Sequence, residues 1–293
     1  MYFEDKFFEA EERCGYHISE KMKKVWAVEL KLLDYFDQLC REHNLRYYIA
    51  YGTLLGAVRH QGFIPWDDDI DVVMFRDDYE KLKVIAGEVV EYPYFFQNSY
   101  TDTMIWAFAK LRDSRTTAIE FPDFPSEFHQ GIFIDIFPLD DVPDNTSMKP
   151  IIGEMQREIW MSIVEPERLK GLIDRGQQLA LDADILLELL RMPIRERMKI
   201  FEDFSASRFG ASSRVNFLTD DFVGYPNMLR EWYADTVYLP FENMAVPAPA
   251  AYESLLSCLY GDYMTPAQIP NMHEGIFLDP DASYTQYMNK EGV

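Results

Sequence analysis

Cysteine is scarce. The chain has three, Cys14, Cys40 and Cys258, an odd number with no Cys-x-x-Cys spacing and no neighbouring pair of histidines. A disulfide framework and a structural zinc site are both excluded on that ground. Cys40 and Cys258 fall in apolar helical patterns and are expected to be packed thiols in a reducing compartment. Basic residues are also short: 28 against 50 acidic ones, a formal net charge of -22 at pH 7. Such a surface repels nucleic acid and anionic lipid, so neither is expected as a partner. An anionic small substrate would need a metal ion or a few placed cations to bind. No window approaches the ~20 apolar residues that cross a bilayer. The acidic N-terminus has no apolar run of signal-peptide length, which predicts a cytoplasmic chain without a transmembrane segment. A peripheral place at the inner face of the cell membrane stays compatible with that. Gly-x-x-x-x-Gly-Lys, Gly-x-Gly-x-x-Gly and Gly-x-Ser-x-Gly are all missing, as are internal repeats and low-complexity segments.

What is present is a chain of 293 residues, 48% hydrophobic and 15% aromatic, enough for one sizeable core or one core with a helical annex. Its chemistry gathers in residues 51–75, YGTLLGAVRHQGFIPWDDDIDVVMF. Asp67, Asp68, Asp69 and Asp71 crowd together there between Phe63, Ile64 and Trp66 on one side and Ile70, Val72, Val73 and Met74 on the other. Carboxylates in such surroundings repel one another and resist burial unless a cation neutralises them. The alternation Asp69-Ile70-Asp71 predicts a strand with both carboxylates on one face. Two hard oxygen donors two residues apart suit Mg2+ or Mn2+. An EF-hand loop is rejected, because Val72 stands at its glycine position and Asp78 at its final glutamate.

Before this stretch, Ser19 is a candidate N-cap for a helix whose buried stripe runs through Met22, Val25, Trp26, Leu33, Phe36 and Cys40 and stops near Asn44. Residues 47–51 read as a strand. Gly52 and Thr53 then open a short helix, whose free N–H groups and positive dipole end favour phosphate. Arg59, at the end of that helix, either reaches a phosphate or is a surface cation favoured by the C-terminus. Trp66 either stacks on a base or a quaternary ammonium, or covers the strand. Asp77 and Asp78 are expected to cap the next helix. Residues 94–97 and 104–111 read as a strand pair. Lys110 and Arg112 alternate out from the second strand on one face, aimed at a diphosphate or lying on a solvated surface. Residues 131–137, GIFIDIF, form an apolar strand with one central carboxylate, Asp135, which needs a partner. The same metal centre is the expected partner, giving an acidic triad of Asp69, Asp71 and Asp135 for phosphoryl transfer. Residues 147–210 are rich in helix formers. A hairpin is expected at 238–247, then a helix at 250–260 ended by Gly261. The tail from residue 270 carries little structural signal.

The motif at 51–72, with AKLRDSRT at 109–116, GIFIDIFPLD at 131–140 and LYGDYM at 259–264, resembles the LicD family of phosphotransferases. The resemblance implies an α+β fold, a nucleotidyltransferase-like mixed sheet with flanking helices and a helical annex. It divides the chain into an N-terminal arm (1–18), a catalytic core (19–140), the annex (141–235) and a C-terminal hairpin, helix and tail packing on the core (236–293). It implies a metal-dependent enzyme that moves a phospho-alcohol, typically phosphocholine from CDP-choline, onto a glycan or lipid-linked sugar of the cell envelope, with CMP released. Lipopolysaccharide or teichoic acid modification in a bacterium fits that pattern. Gly52, Thr53, Arg59, Asp69, Asp71, Lys110 and Asp135 are the positions it carries over. Two alternatives remain at this point. One is a nucleotidyltransferase using an NTP on a sugar or small-molecule hydroxyl; the other is a non-catalytic choline- or glycan-binding protein.

Overall fold

The computed structural model describes residues 1–103, 106–125, 127–142, 149–208, 210, 212–265 and 275–288. One seven-stranded mixed sheet organises it. Its strands, in chain order, are β1 (Tyr48–Ile49), β2 (Asp71–Phe75), β3 (Tyr94–Gln97), β4 (Ala109–Asp113), β5 (Ile132–Val142), β6 (Arg214–Asn216) and β7 (Met228–Leu229). The spatial order is β7-β6-β5-β2-β1, and β4 pairs with both β3 and β5. Only β2 and β5 run parallel; every other pair in the sheet is antiparallel. The mixture of one parallel pair with antiparallel neighbours makes the fold α+β.

The eleven-residue β5 is the central strand. Its first half pairs with β4 and its last three residues with β6, while β2 lies along its other edge. It is almost wholly buried, which is why it reads as a continuous apolar run rather than an alternating one.

Helix α1 (Glu20–Glu42) packs across β4 and β5. Ser19 caps it, its hydroxyl accepting from the Met22 N–H at 3.1 Å. The buried stripe holds Val25, Trp26, Leu30, Leu33, Phe36 and Cys40. Fully burying one such side chain is worth about 1.5–3 kcal/mol, so the helix is held by its face rather than by propensity. Asn44 takes a left-handed φ of 55° just past its end. Helix α2 (Tyr51–His60) follows β1 directly, and α3 (Arg76–Val89) follows β2. Asp77 and Asp78 sit in the first turn of α3 rather than at its N-cap, which is Phe75. Arg76 anchors α3 to β5 by a fully buried two-pronged pair with Asp140, at 2.7 and 2.6 Å.

A second apolar cluster lies among α4 (Lys149–Val164), α5 (Pro166–Asp174), α6 (Ala183–Arg191) and α7 (Ile194–Ala206), centred on Ile159, Leu169, Leu186 and Phe201. Lys83 of α3 binds Glu202 of α7 at 2.7 Å and ties these helices to the sheet. Residues 147 and 148 of the expected helical stretch lie outside the described residues.

Several expected bounds shift. The strand read at 104–111 is observed as Ala109–Asp113, with 104 and 105 outside the described residues. The hairpin is Thr236–Phe241 with Met244–Pro249. The N-terminal residues are docked: Phe7 and Phe8 pack on the core, and the hairpin of Glu11–Arg13 with Tyr16–Ile18 ties down through Arg13 to Glu242. The tail adds a strand that weak local propensity hid, Phe277–Asp279 against Thr117–Ile119.

Candidate active site

Three strands bring three charged groups into one row. Asp71 is the register partner of Asp135 across the parallel β2/β5 pair. Asp135 is in turn the register partner of Lys110 across the antiparallel β5/β4 pair. Directly opposed residues in a sheet share a face, so all three side chains leave the same side. The Lys110 ammonium reaches Asp135 at 2.9 Å and Glu120 at 3.2 Å. It also lies 3.4 Å from the centre of the Phe133 ring and 4.8 Å from that of Trp106. Lys110 is therefore a buried cation set among carboxylates and aromatic faces.

Burial holds the Asp71 carboxyl well above the ordinary range, and the charges of Asp69, Asp135 and Asp67 push the same way; Lys110 opposes them. Like-charged carboxylates this close favour one another's protonated form. Asp69 does not share the strand: β2 starts at Asp71, and Asp67, Asp68 and Asp69 belong to the loop before it. The predicted strand alternation is corrected in that respect. The loop still gathers its acids, for Asp67, Asp68 and Asp69 each offer an oxygen within 4.8 Å of the others. An all-oxygen, all-carboxylate donor set fits a hard divalent cation such as Mg2+ or Mn2+.

Helix α2 starts beside this cluster. No side chain caps its N-terminus. A Cβ on Gly52 would come 2.6 Å from Asp67 Oδ2, so the backbone there approaches the loop as closely as only glycine allows. Thr53 is buried, and its hydroxyl accepts the Asp71 N–H at 2.8 Å, fixing the start of β2 against the start of α2. Gly52, Thr53, Lys110, Asp69, Asp71 and Asp135 thus converge.

Two candidate cations stand apart. Arg59 is near the far end of α2, about 10 Å along the axis from Gly52. It donates to the Tyr263 carbonyl at 3.2 Å, and Cys14 and Tyr260 are its electrostatic neighbours. Arg112 is fully buried and binds Gln97, the Gly131 carbonyl and Glu120. Neither Lys110 nor Arg112 lies on a solvated surface. Burial raises the Glu120 carboxyl, but Lys110 and Arg112 outweigh it and leave the value lowered.

The structure adds residues that the sequence did not single out. Glu29 of α1 is 2% exposed, and its Oε2 has no hydrogen-bond partner among the described residues. Burial raises its carboxyl well above normal, with Asp68, Asp69, Asp67 and Asp71 adding to the effect. The sequence signal was available: a glutamate inside a buried stripe, three residues after Trp26. Burial pushes the Tyr260 hydroxyl up, and the charges of Asp71, Asp67 and Asp69 add to the effect. Glu242 fixes the loop that leads to them. It accepts the Phe63 N–H at 3.1 Å and pairs with Arg13 at 2.7 Å. Trp66, half-buried, meets Tyr16 edge-on at 6.1 Å.

Known proteins share this arrangement of sequence. The family described as LicD/FKTN/FKRP, nucleotidyltransferase domain, matches residues 44–168. The lipopolysaccharide cholinephosphotransferase LicD of Haemophilus influenzae is 29% identical over 252 residues, 83% of this chain and 91% of that protein. Residues 44–168 thus match the LicD family. An uncharacterised protein of Rickettsia typhi is 32% identical over 121 residues, 39% of this chain and 38% of its own length. Human ribitol 5-phosphate transferase FKRP is 39% identical over 44 residues, 15% of this chain and 9% of its own. The matched range holds β1 through β5, and with them all six converging residues. No helix among the described residues is long and apolar enough to cross a membrane.

Proposed function

We propose that this LicD-family enzyme transfers phosphocholine from CDP-choline to a hydroxyl of a cell-envelope glycan, with CMP released. Lipopolysaccharide, or a lipid-linked sugar on the way to it, is the acceptor class. The protein would then work at the inner face of the cell membrane. One observation carries this: the row Asp71–Asp135–Lys110 beside the uncapped start of α2, inside a chain similar over 83% of its length to a lipopolysaccharide cholinephosphotransferase.

Each group has a task in this reaction. The free N–H groups at the start of α2 face donor phosphate oxygens, and Gly52 lets the backbone come close. Asp135 is placed to hold the proton of the acceptor hydroxyl. Lys110 pairs with both Asp135 and Glu120. Asp69, Asp71 and Asp135 are the residues to hold Mg2+ or Mn2+, which would offset phosphate charge and lower the pKa of the attacking hydroxyl. That also answers how a chain of net charge -22 handles an anionic donor.

A second reading, nucleotidyl transfer from an NTP, is favoured by the nucleotidyltransferase description of the matched domain. Product analysis separates the two. The purified chain is given Mg2+, lipopolysaccharide, and in turn CDP-choline, CDP-ethanolamine, CDP-ribitol and CDP-glycerol. CMP from CDP-choline, lost in Asp71→Asn, supports the proposal. CMP from another donor moves the alcohol. Pyrophosphate from an NTP, with no CMP from any donor, replaces phospho-alcohol transfer with nucleotidyl transfer.

A further inference from the structure

We propose that Tyr51 and Asp220 are positioning residues for the transfer: the hydrogen bond between them holds the first turn of α2 in the shape that presents Gly52 and Thr53 to the donor. Tyr51 opens α2 with a φ of 43°. That left-handed conformation costs energy in any residue with a Cβ, and a bulky side chain must be held there by its surroundings. A glycine stands next door, at Gly52, yet the left-handed position falls on the tyrosine.

The backbone on either side shows what the turn sets. Ala50 donates its N–H to the Asp71 carbonyl at 3.0 Å, and the Thr53 hydroxyl accepts the Asp71 N–H at 2.8 Å. Gly52 lies against Asp67. Residues 50 and 53 therefore bracket Asp71, and a change of φ at Tyr51 moves the start of α2 against the acids. The Tyr51 side chain is gripped from the annex. Its hydroxyl donates to Asp220 Oδ2 at 3.0 Å. Asp220 belongs to α8 (Leu218–Val223), which packs on β5. The Tyr51 ring meets Phe137 edge-on with centroids 5.6 Å apart, and Phe137 meets Phe217, the residue before α8, at 5.1 Å. Phe137 stands two residues after Asp135 on the same face of β5. Hydroxyl and ring thus fix Tyr51 to one unit, which rests on the strand that carries Asp135. The inference depends on α2 facing donor phosphate, as proposed above, and holds whether the donor is a CDP-alcohol or an NTP.

Three variants of the full chain test it. Tyr51→Phe keeps the ring and removes the hydroxyl, Asp220→Ala removes the acceptor, and Asp220→Asn keeps an acceptor oxygen. Donor KM is measured with CDP-choline and with CTP. Calorimetric binding of CDP in Mg2+ reads the same turn without turnover. Tyr51→Phe and Asp220→Ala are each expected to raise donor KM and the Kd for CDP about tenfold, with the acceptor KM level. The double variant should be no worse than either single one, since both remove the same bond. Asp220→Asn should recover most of the affinity. A lowered melting temperature with KM and Kd unchanged would make the contact a packing seam between annex and core and overturn the proposal, as would additive losses in the double variant. If Asp220→Ala fails to fold, Tyr51→Phe carries the test alone. Turnover of CTP and not of CDP-choline, with the same KM pattern, would sink the phosphocholine reading and leave this one standing.

Discussion

Asp71 and Asp135 stand at the same register of two parallel strands, and Lys110 faces Asp135 from the strand on the other side. Adjacent strands are about 4.8 Å apart, so two carboxylates are held at a spacing where both cannot keep their charge without help. The sheet imposes that spacing, since neither aspartate can retreat without breaking ladder hydrogen bonds. Lys110 pairs with Asp135 on one side of this row.

Replacing either aspartate should therefore separate activity from stability. Asp71→Asn and Asp135→Asn remove repulsion as well as function. Turnover is expected to fall at least ~100-fold, the scale of losing one group that stabilises transition-state charge. The melting temperature of Asp71→Asn should stay level or rise in the absence of divalent cations. Retention of full activity by the double variant would remove the acidic row from the mechanism.

Lys110 should behave in the opposite way. It is buried between Asp135 and Glu120. Lys110→Met leaves Asp135 without its cation while Glu120 keeps Arg112, and breaking a buried pair in this way costs about 3–5 kcal/mol. Adding Asp135→Asn should recover part of that loss, since the stranded charge disappears. Chemical denaturation of the two single variants and the double one gives the coupling. Additive losses would mean that the Lys110–Asp135 contact contributes nothing.

The aspartates also fix a pH dependence. Burial first, then Asp69, Asp135 and Asp67, raise the Asp71 carboxyl above its ordinary value, so the folded chain holds that proton more tightly than the unfolded one. The stability this group contributes is full below about pH 4, the unfolded value, and is lost as pH rises through the raised folded value. The titration belongs to the cluster as a whole, because its members interact. In EDTA, wild type should lose stability relative to Asp71→Asn as pH rises above about 4, measured by urea denaturation; saturating Mg2+ should abolish the difference in slope. A gap that widens in favour of wild type with rising pH contradicts the shift.

The sequence showed the acids because burying them is costly. Four aspartates among Ile70, Val72 and Met74 break the hydrophobic rule locally, and such a break is visible without coordinates. The α1 stripe and the Gly261 stop were visible for the same reason, as local periodicity and backbone chemistry. What stayed hidden depends on long-range pairing. Lys110 and Arg112 alternate identically in sequence, yet Lys110 faces Asp135 while Arg112 is spent on Gln97, Gly131 and Glu120. Which strand lies alongside decides that, and nothing local encodes it. The strand at Phe277–Asp279 depends on a partner some 160 residues away in sequence.

Gly52 tests how tightly α2 and the loop must meet. A Cβ there would stand 2.6 Å from Asp67 Oδ2, the movable end of a short side chain. Gly52→Ala is therefore expected to fold, with the helix gaining a little from alanine and the Asp67 carboxyl displaced. Divalent-cation affinity should drop and the KM for the donor should rise, while the melting temperature changes little. Calorimetric Mn2+ titration checks the first and initial rates the second. Unchanged affinity and KM would show that the close approach is packing alone.

Glu242 makes the last prediction, because it acts without touching an aspartate. Its carboxylate accepts the Phe63 N–H and the Arg13 guanidinium, and its own N–H donates to the Gln61 carbonyl at 2.7 Å. Residues 61–63 are thus clamped from the hairpin, and Phe63 is pressed flat on Trp26 at 4.5 Å. Trp26 in turn holds the Asp67 carbonyl. Glu242→Ala cuts the first link: Arg13 and the Phe63 N–H both lose a partner, a loss of about 1–3 kcal/mol. The aspartate loop should then sample more positions, so kcat falls through misplacement of Asp69 rather than through any lost ligand. Glu242→Gln keeps an acceptor for Phe63 and should restore much of the rate without the charge pairing to Arg13. If alanine and glutamine variants lose rate equally, charge on Glu242 matters and the clamp does not. If neither loses rate, the loop holds its shape from the Trp26–Phe63 stack alone.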